Sequence, residues 1–195
     1  MPKYRVAPPL TVHEIEAIAG DVREALGFAP GTRAPMAVIL EHVLPDLIPD
    51  YEFRVDDARA LGKAEAITDG FRPIITFGAA SYNELAKDAP RARMTAAHEL
   101  GHLLLHTGRT GFALLRARDT RLDPERQADI FAAAFLMPAS EFKAVKSIQE
   151  AMKKFGVSKD AALFRARKLK LWHLLGGHRD RTLNKKKGHD MRRTP

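Results

Sequence analysis

Cysteine is absent from the 195-residue chain. That excludes a disulfide framework, a thiol nucleophile and any metal site built on thiolates. Long apolar runs are absent too: none approaches the ~20 residues that a membrane span needs. Met1 to Leu10 holds no apolar segment of the length of a secretion signal. No internal repeat is visible. Apolar residues make up 45% and charged residues 29%, the balance of a globular chain rather than a disordered one. A chain of this length buries about 70% of its unfolded surface, so its core needs no cross-links. The expectation is a soluble, cytoplasmic protein without a membrane partner.

Charge is plentiful but segregated. The net charge of +8 divides into −4 over residues 1–142 and +12 over residues 143–195. A basic segment attracts polyanions, nucleic acid first. It also serves simply as a solvated tail.

The pattern predicts an α+β fold. Thr11-x-x-Glu14 is a capping box, and Ile15, Ile18, Ala19, Val22 and Leu26 follow at helical spacing, giving a helix over 12–26 before Gly27. A second helix is expected from Pro35 to Leu44, closed by Pro45. Tyr51–Val55, Ala64–Thr68 and Pro73–Phe77 read as short strands, the last two joined as a hairpin through Asp69-Gly70. Helices are then expected from Met94 to His106, from Glu125 to Met137 behind an Asp123-Pro124 cap, from Glu141 to Phe155, and from Ser158 to Trp172. Arg109 to Leu122 reads as a loop. The expected organisation is a body over 1–140, a helical segment over 141–175 packed on it, and a basic, disordered tail over 176–195.

The chemistry concentrates at His98-Glu99-x-x-His102. On a helix, positions i and i+4 share a face, so both imidazoles can reach one metal ion, with Glu99 beside it to hold a water. The flanking Ala96, Ala97, Leu100, Gly101 and Leu103 are uncharged, as a buried metal-binding helix requires. Nitrogen and oxygen ligands without sulfur suit Zn2+, with Mn2+ also accepted. Glu125 is the candidate third ligand. Asp129, one turn later, can accept a hydrogen bond from a ligand histidine. The reverse assignment, Asp129 as ligand with Glu125 in support, satisfies the same spacing. His106 lies about 12 Å along the helix from His98, too far to share its metal. It can line the cleft and stabilise an oxyanion, as can Tyr82 or an arginine of 109–121, or sit at a helix C-terminus favoured by the dipole.

Three blocks together resemble the ImmA/IrrE family of zinc metallopeptidases. They are Arg93 to His106; Glu125-Arg126-Gln127-Ala128-Asp129 with the following Phe131-Ala132-Ala133 and Phe135 to Pro138; and Phe155-Gly156-Val157-Ser158 with Arg165. The resemblance implies a compact zincin-like domain with a small antiparallel-type sheet beside two metal-binding helices, and a C-terminal helical extension. It implies His98, His102 and Glu125 as zinc ligands and Glu99 as general base. It also implies a protein substrate, often a helix-turn-helix repressor or an antitoxin, cut in stress responses, mobile elements or toxin–antitoxin pairs. Gln127 stands where the family usually has a second acidic residue, which favours Glu125 as the ligand. The basic tail has no family counterpart.

Two rival readings share these residues. Phe142–Trp172 forms two helices around Gly156-Val157-Ser158 with net charge +7 over 143–174, which superficially resembles a DNA-binding helix-turn-helix. The metal site would then be structural or vestigial. Against that, the same helices can pack on the body through Phe142, Phe155, Leu163 and Trp172. A toxin held by an antitoxin would carry the same hydrolytic site.

Overall fold

A computed structural model describes residues 10–57, 61–107 and 123–175. Helix α1 (Val12–Ala25) begins at a completed capping box: Thr11 accepts from the Glu14 N–H and the Glu14 carboxylate accepts from the Thr11 N–H. Ile15 and Ala19 face the core. Helix α2 is composite: Met36–Val38 is α-helical, Ile39–Val43 widens into a π turn, and Leu44–Leu47 returns to α. Pro45 therefore does not close this helix. It follows directly on the π turn, where the regular α-helical hydrogen-bond ladder is already interrupted.

Three strands follow, β1 (Glu52–Asp56), β2 (Ala66–Thr68) and β3 (Ile74–Gly78), in the order β1-β3-β2. The Asp69 carboxylate accepts the Phe71 and Arg72 N–H groups and folds the chain back, so β2 and β3 pair antiparallel. β1 instead runs parallel to β3, with Phe53 opposite Ile75. The small sheet is thus mixed, where an antiparallel type was expected. A tight turn forces antiparallel pairing, whereas the longer link from β1 to β2 leaves the direction of β1 free.

Helix α3 (Ala79–Ala86) follows β3 without a break. It escapes the sequence pattern because it buries only Leu85. Helix α4 (Pro90–Leu105) starts one turn earlier than expected, with Pro90 in its first turn. Helix α5 (Pro124–Leu136) is capped by Asp123, whose carboxylate accepts from the Glu125 N–H at 3.0 Å. Phe131, Ala132 and Phe135 of α5 and Ala96, Ala97, Leu100 and Leu103 of α4 belong to one core cluster, and the buried Ala128 lies against Gly101 of α4. Gly101 permits their close approach: a Cβ there would lie 3.2 Å from the Ala128 Cα and 3.1 Å from the Phe131 ring.

The single helix expected from Glu141 to Phe155 is two, α6 (Ala139–Phe142) and α7 (Ile148–Phe155). Ser147 restarts the chain by accepting from the Glu150 N–H, while the Glu150 carboxylate accepts from the Lys146 N–H. Side-chain bonds of this kind compete with helix continuation even when the apolar spacing runs through. Gly156 (φ +62°) ends α7, and Ser158 caps α8 (Lys159–Lys168). The chain then makes a 3-10 turn at Trp172–Leu175, so α8 stops short of Trp172.

Three buried arginines tie these helices together. Arg93 of α4 donates to the carbonyls of Ala34, Phe155 and Gly156 and pairs with Asp88. Arg165 of α8 donates to the Met137 carbonyl and pairs with Glu16 of α1. Arg23 of α1 donates to the carbonyls of Phe135 and Thr32. None of the described helices is long and apolar enough to cross a membrane.

Candidate metal centre

His98 and His102 occupy successive turns of α4, facing the first turn of α5. His98 Nε2 lies 3.0 Å from His102 Nε2 and 3.2 Å from Glu125 Oε2, and His102 Nε2 lies 3.4 Å from Glu125 Oε1. These spacings are those of ligand atoms around one small cation. Tetrahedral zinc with ligands at ~2.0–2.1 Å requires ligand atoms about 3.3 Å apart. Among the described residues, these three form the cluster that could hold a metal ion.

Asp129 sits one turn along α5 from Glu125. Its Oδ1 lies 2.9 Å from His98 Nδ1, the ring nitrogen not aimed at the cluster. The geometry thus brings Glu125 to the ligand face and Asp129 behind it. Burial pushes the His98 imidazolium toward losing its proton, but hydrogen bonds to Asp129 and Glu125 outweigh it and raise its pKa to about 10. Hydrogen bonds from His102 and His98 hold the Glu125 carboxyl well below the usual range. In the metal-free protein a proton therefore stands in for the cation.

Glu99 is buried and points to the sheet side. Its Oε2 lies 2.7 Å from the Thr68 hydroxyl of β2, which is also 3.0 Å from the Glu99 carbonyl. Thr68 was invisible to sequence reasoning, since a threonine ending a strand carries no signal of its own. Gly101 was visible only as an uncharged flank. His106 caps α4, and its Nδ1 lies 3.1 Å from His102 Nδ1. Tyr82 packs on Phe53, and the Glu41 carboxylate raises its hydroxyl pKa. The arginines of 109–121 and the basic tail lie outside the described residues.

The helix pair α7–α8 turns around Gly156, as the sequence implies. Phe142 and Phe155 are buried and stacked on one another, and Leu163 is partly buried against the core. Trp172 is not part of that packing: it is 61% exposed, because the chain leaves α8 before reaching it.

A helix carrying two histidines one turn apart, a glutamate between them and a carboxylate from a second helix form a centre whose ligand atoms could hold a metal ion. Residues 81–167 match the model of a peptidase family described as the IrrE N-terminal-like domain. The family read from the sequence and the family matched are the same. Among solved structures, a Mycobacterium tuberculosis transcriptional regulator shares the fold at 17% identity and a TM-score of 0.54. That similarity covers 78% of this chain and 46% of the regulator, so the chain spans less than half of it. No curated protein gives a significant match.

Proposed function

We propose that the protein is a zinc-dependent metalloendopeptidase that hydrolyses a peptide bond in a protein substrate. The observation that supports this most is the convergence of His98 Nε2, His102 Nε2 and Glu125 within 3.0–3.4 Å of one another, with Glu99 one residue away. Zinc, when bound, supplies a Lewis acid and brings the pKa of water toward ~7. His98, His102 and Glu125 would hold it, with Mn2+ as the other ion these donors accept.

The chain's own residues then have distinct tasks. Asp129 fixes the His98 ring by accepting its Nδ1–H. Glu99, held at one carboxylate oxygen by Thr68, takes the proton of the attacking water and returns it to the leaving amine. The Glu125 side chain is 68% exposed, which leaves the ligand face open to a substrate.

The substrate we propose is a helix-turn-helix transcriptional repressor or an antitoxin in the cytoplasm. That choice rests on the family, whose members cut such regulators, and not on the site. The test is a substrate trap. The Glu99→Gln protein should bind zinc, stay folded and capture its substrate without cutting it. Wild-type protein should then cut what the trap captured. Turnover retained by Glu99→Gln would remove Glu99 from the role of base. Captured proteins that wild type never cuts would shift the function to binding.

A further inference from the structure

The two histidines of the centre differ in what stands behind them. Behind His98 is the carboxylate of Asp129. Behind His102 is another imidazole, that of His106, which is as deeply buried as His102 itself. We infer that His106 is a positioning residue: its Nδ1 accepts the Nδ1–H of His102 and so fixes the tautomer and ring orientation in which His102 Nε2 faces the metal. The inference rests on the metallopeptidase reading above.

The argument begins with proton counting. A neutral imidazole carries one N–H. His102 Nε2 lies 3.0 Å from His98 Nε2 and 3.4 Å from Glu125 Oε1, so it is the nitrogen turned to the cluster. To offer a lone pair there, His102 must carry its proton on Nδ1. Nδ1 lies 3.1 Å from His106 Nδ1. Two nitrogens at that distance need one donor and one acceptor. With a metal on His102 Nε2, His106 Nδ1 is therefore the acceptor, and a neutral His106 carries its proton on Nε2.

The backbone prepares this contact. His106 follows His102 by one helical turn, and its N–H donates to the His102 carbonyl at 2.9 Å. Its φ of −126° takes it out of the helix, and the two rings meet at a centroid distance of 5.2 Å with a 53° tilt. The two ligands thus receive supports of different charge. The more exposed His98 has an anion behind it, and the buried His102 has a neutral acceptor. A second buried carboxylate behind His102 would add negative charge where solvent is least able to screen it.

The role is tested by metal binding rather than by turnover. His106→Phe keeps a flat ring but removes the acceptor. His106→Asn can put an amide oxygen near the position of the lost Nδ1. Zinc affinity of the folded proteins is measured by chelator competition, and the ligand field by visible spectra of the cobalt-loaded forms. The Phe variant should bind zinc about 10–100-fold more weakly, the usual cost of losing such a partner, with an altered cobalt spectrum. The Asn variant should recover most of that affinity. Equal zinc affinity in wild type and the Phe variant would overturn the inference, as would equal loss in both variants. Nitrogen-15 spectra of the zinc-loaded wild type decide the matter even if a variant fails to fold. They should show His102 protonated at Nδ1 and His106 at Nε2; a proton on His106 Nδ1 overturns the inference. Failure of the wild type to bind zinc would instead sink the metallopeptidase reading, and this inference with it.

Discussion

Helix α4 buries two kinds of polar side chain, and they are satisfied in opposite ways. Near its start, Arg93 reaches out of the helix to three carbonyls, those of Ala34, Phe155 and Gly156, and to Asp88. Burial pulls its pKa down while Asp88 opposes the shift. Every partner is in place, and the result is a rivet between the N-terminal and C-terminal helices. A turn and a half later, His98 and His102 are held from behind by Asp129 and His106, while their Nε2 atoms converge on one another and on Glu125. Three potential ligand atoms crowded onto one locus serve packing poorly and cation binding well. Buried charge saturated by backbone carbonyls reads as architecture. Ligand atoms gathered on a common point read as a site.

The largest effect should come from breaking the rivet. Arg93→Met leaves three buried carbonyls without their donor, while the half-exposed Asp88 keeps its pair with Arg33. By the usual cost of removing one partner from a buried polar network, it should lower stability by about 3–5 kcal/mol, measured by urea unfolding. A loss below about 1 kcal/mol would show that the carbonyls find water, and the contrast would fail. Asp129→Asn addresses the other region. It should weaken zinc binding about 10–100-fold with little change in the urea midpoint of the zinc-free protein at pH values above the His98 pKa of about 10, where His98 has lost most of its extra proton. Equal zinc affinity would detach Asp129 from the centre.

Gly101 tests whether the two regions are coupled through the spacing of α4 and α5. A Cβ there would meet the Phe131 ring at 3.1 Å and the Ala128 backbone at 3.2–3.3 Å. Alanine gains helix propensity of about 1 kcal/mol but forces the helices apart at a cost of about 1–3 kcal/mol. The expected outcome for Gly101→Ala is a modest net loss of stability together with weaker zinc binding, since Glu125 rides on α5. Unchanged zinc affinity would show that Glu125 reaches the centre from a wider helix spacing.

The site was more legible in the sequence than the frame around it. His98, Glu99 and His102 announce themselves because metal chemistry demands particular residues at particular helical spacing. Glu125 and Asp129 follow from the same rule on a second helix. The arginines carry no such signature. Arg93, Arg165 and Arg23 look like any surface cation until their distant carbonyl partners are brought to them by the fold. Thr68 was missed for the same reason: its partner, Glu99, is 31 residues away in sequence. Local competition explains the misplaced boundaries. Ser147 and Glu150 break a helix whose apolar spacing is continuous, and Pro45 follows directly on a π turn that already interrupts the α-helical ladder.

The finest separation of the two regions is by pH, in metal-free protein. Folding raises the His98 pKa from its ordinary 6.5 to about 10. A group whose pKa rises on folding contributes stability that is complete below the unfolded value and fades as pH rises through the folded one. Metal-free protein should therefore lose stability progressively between about pH 6.5 and pH 10. The depressed Glu125 carboxyl works at the other end, contributing above the ordinary carboxylate range and fading as pH falls below it. Asp129 is the larger support of the His98 proton and His102 the larger cause of the Glu125 shift, but the His98–Glu125 contact enters both, so the two contributions do not simply add. Asp129→Asn should flatten the alkaline slope, because it removes the other acceptor that holds the His98 proton. Zinc should flatten it too, since His98 must give up that proton to become a ligand. Arg93→Met should lower the whole curve and leave its slope unchanged, because the arginine stays protonated throughout. Urea midpoints from pH 6 to 10 for these four samples distinguish a rivet from a site: a slope that survives zinc loading would mean that His98 is not a ligand.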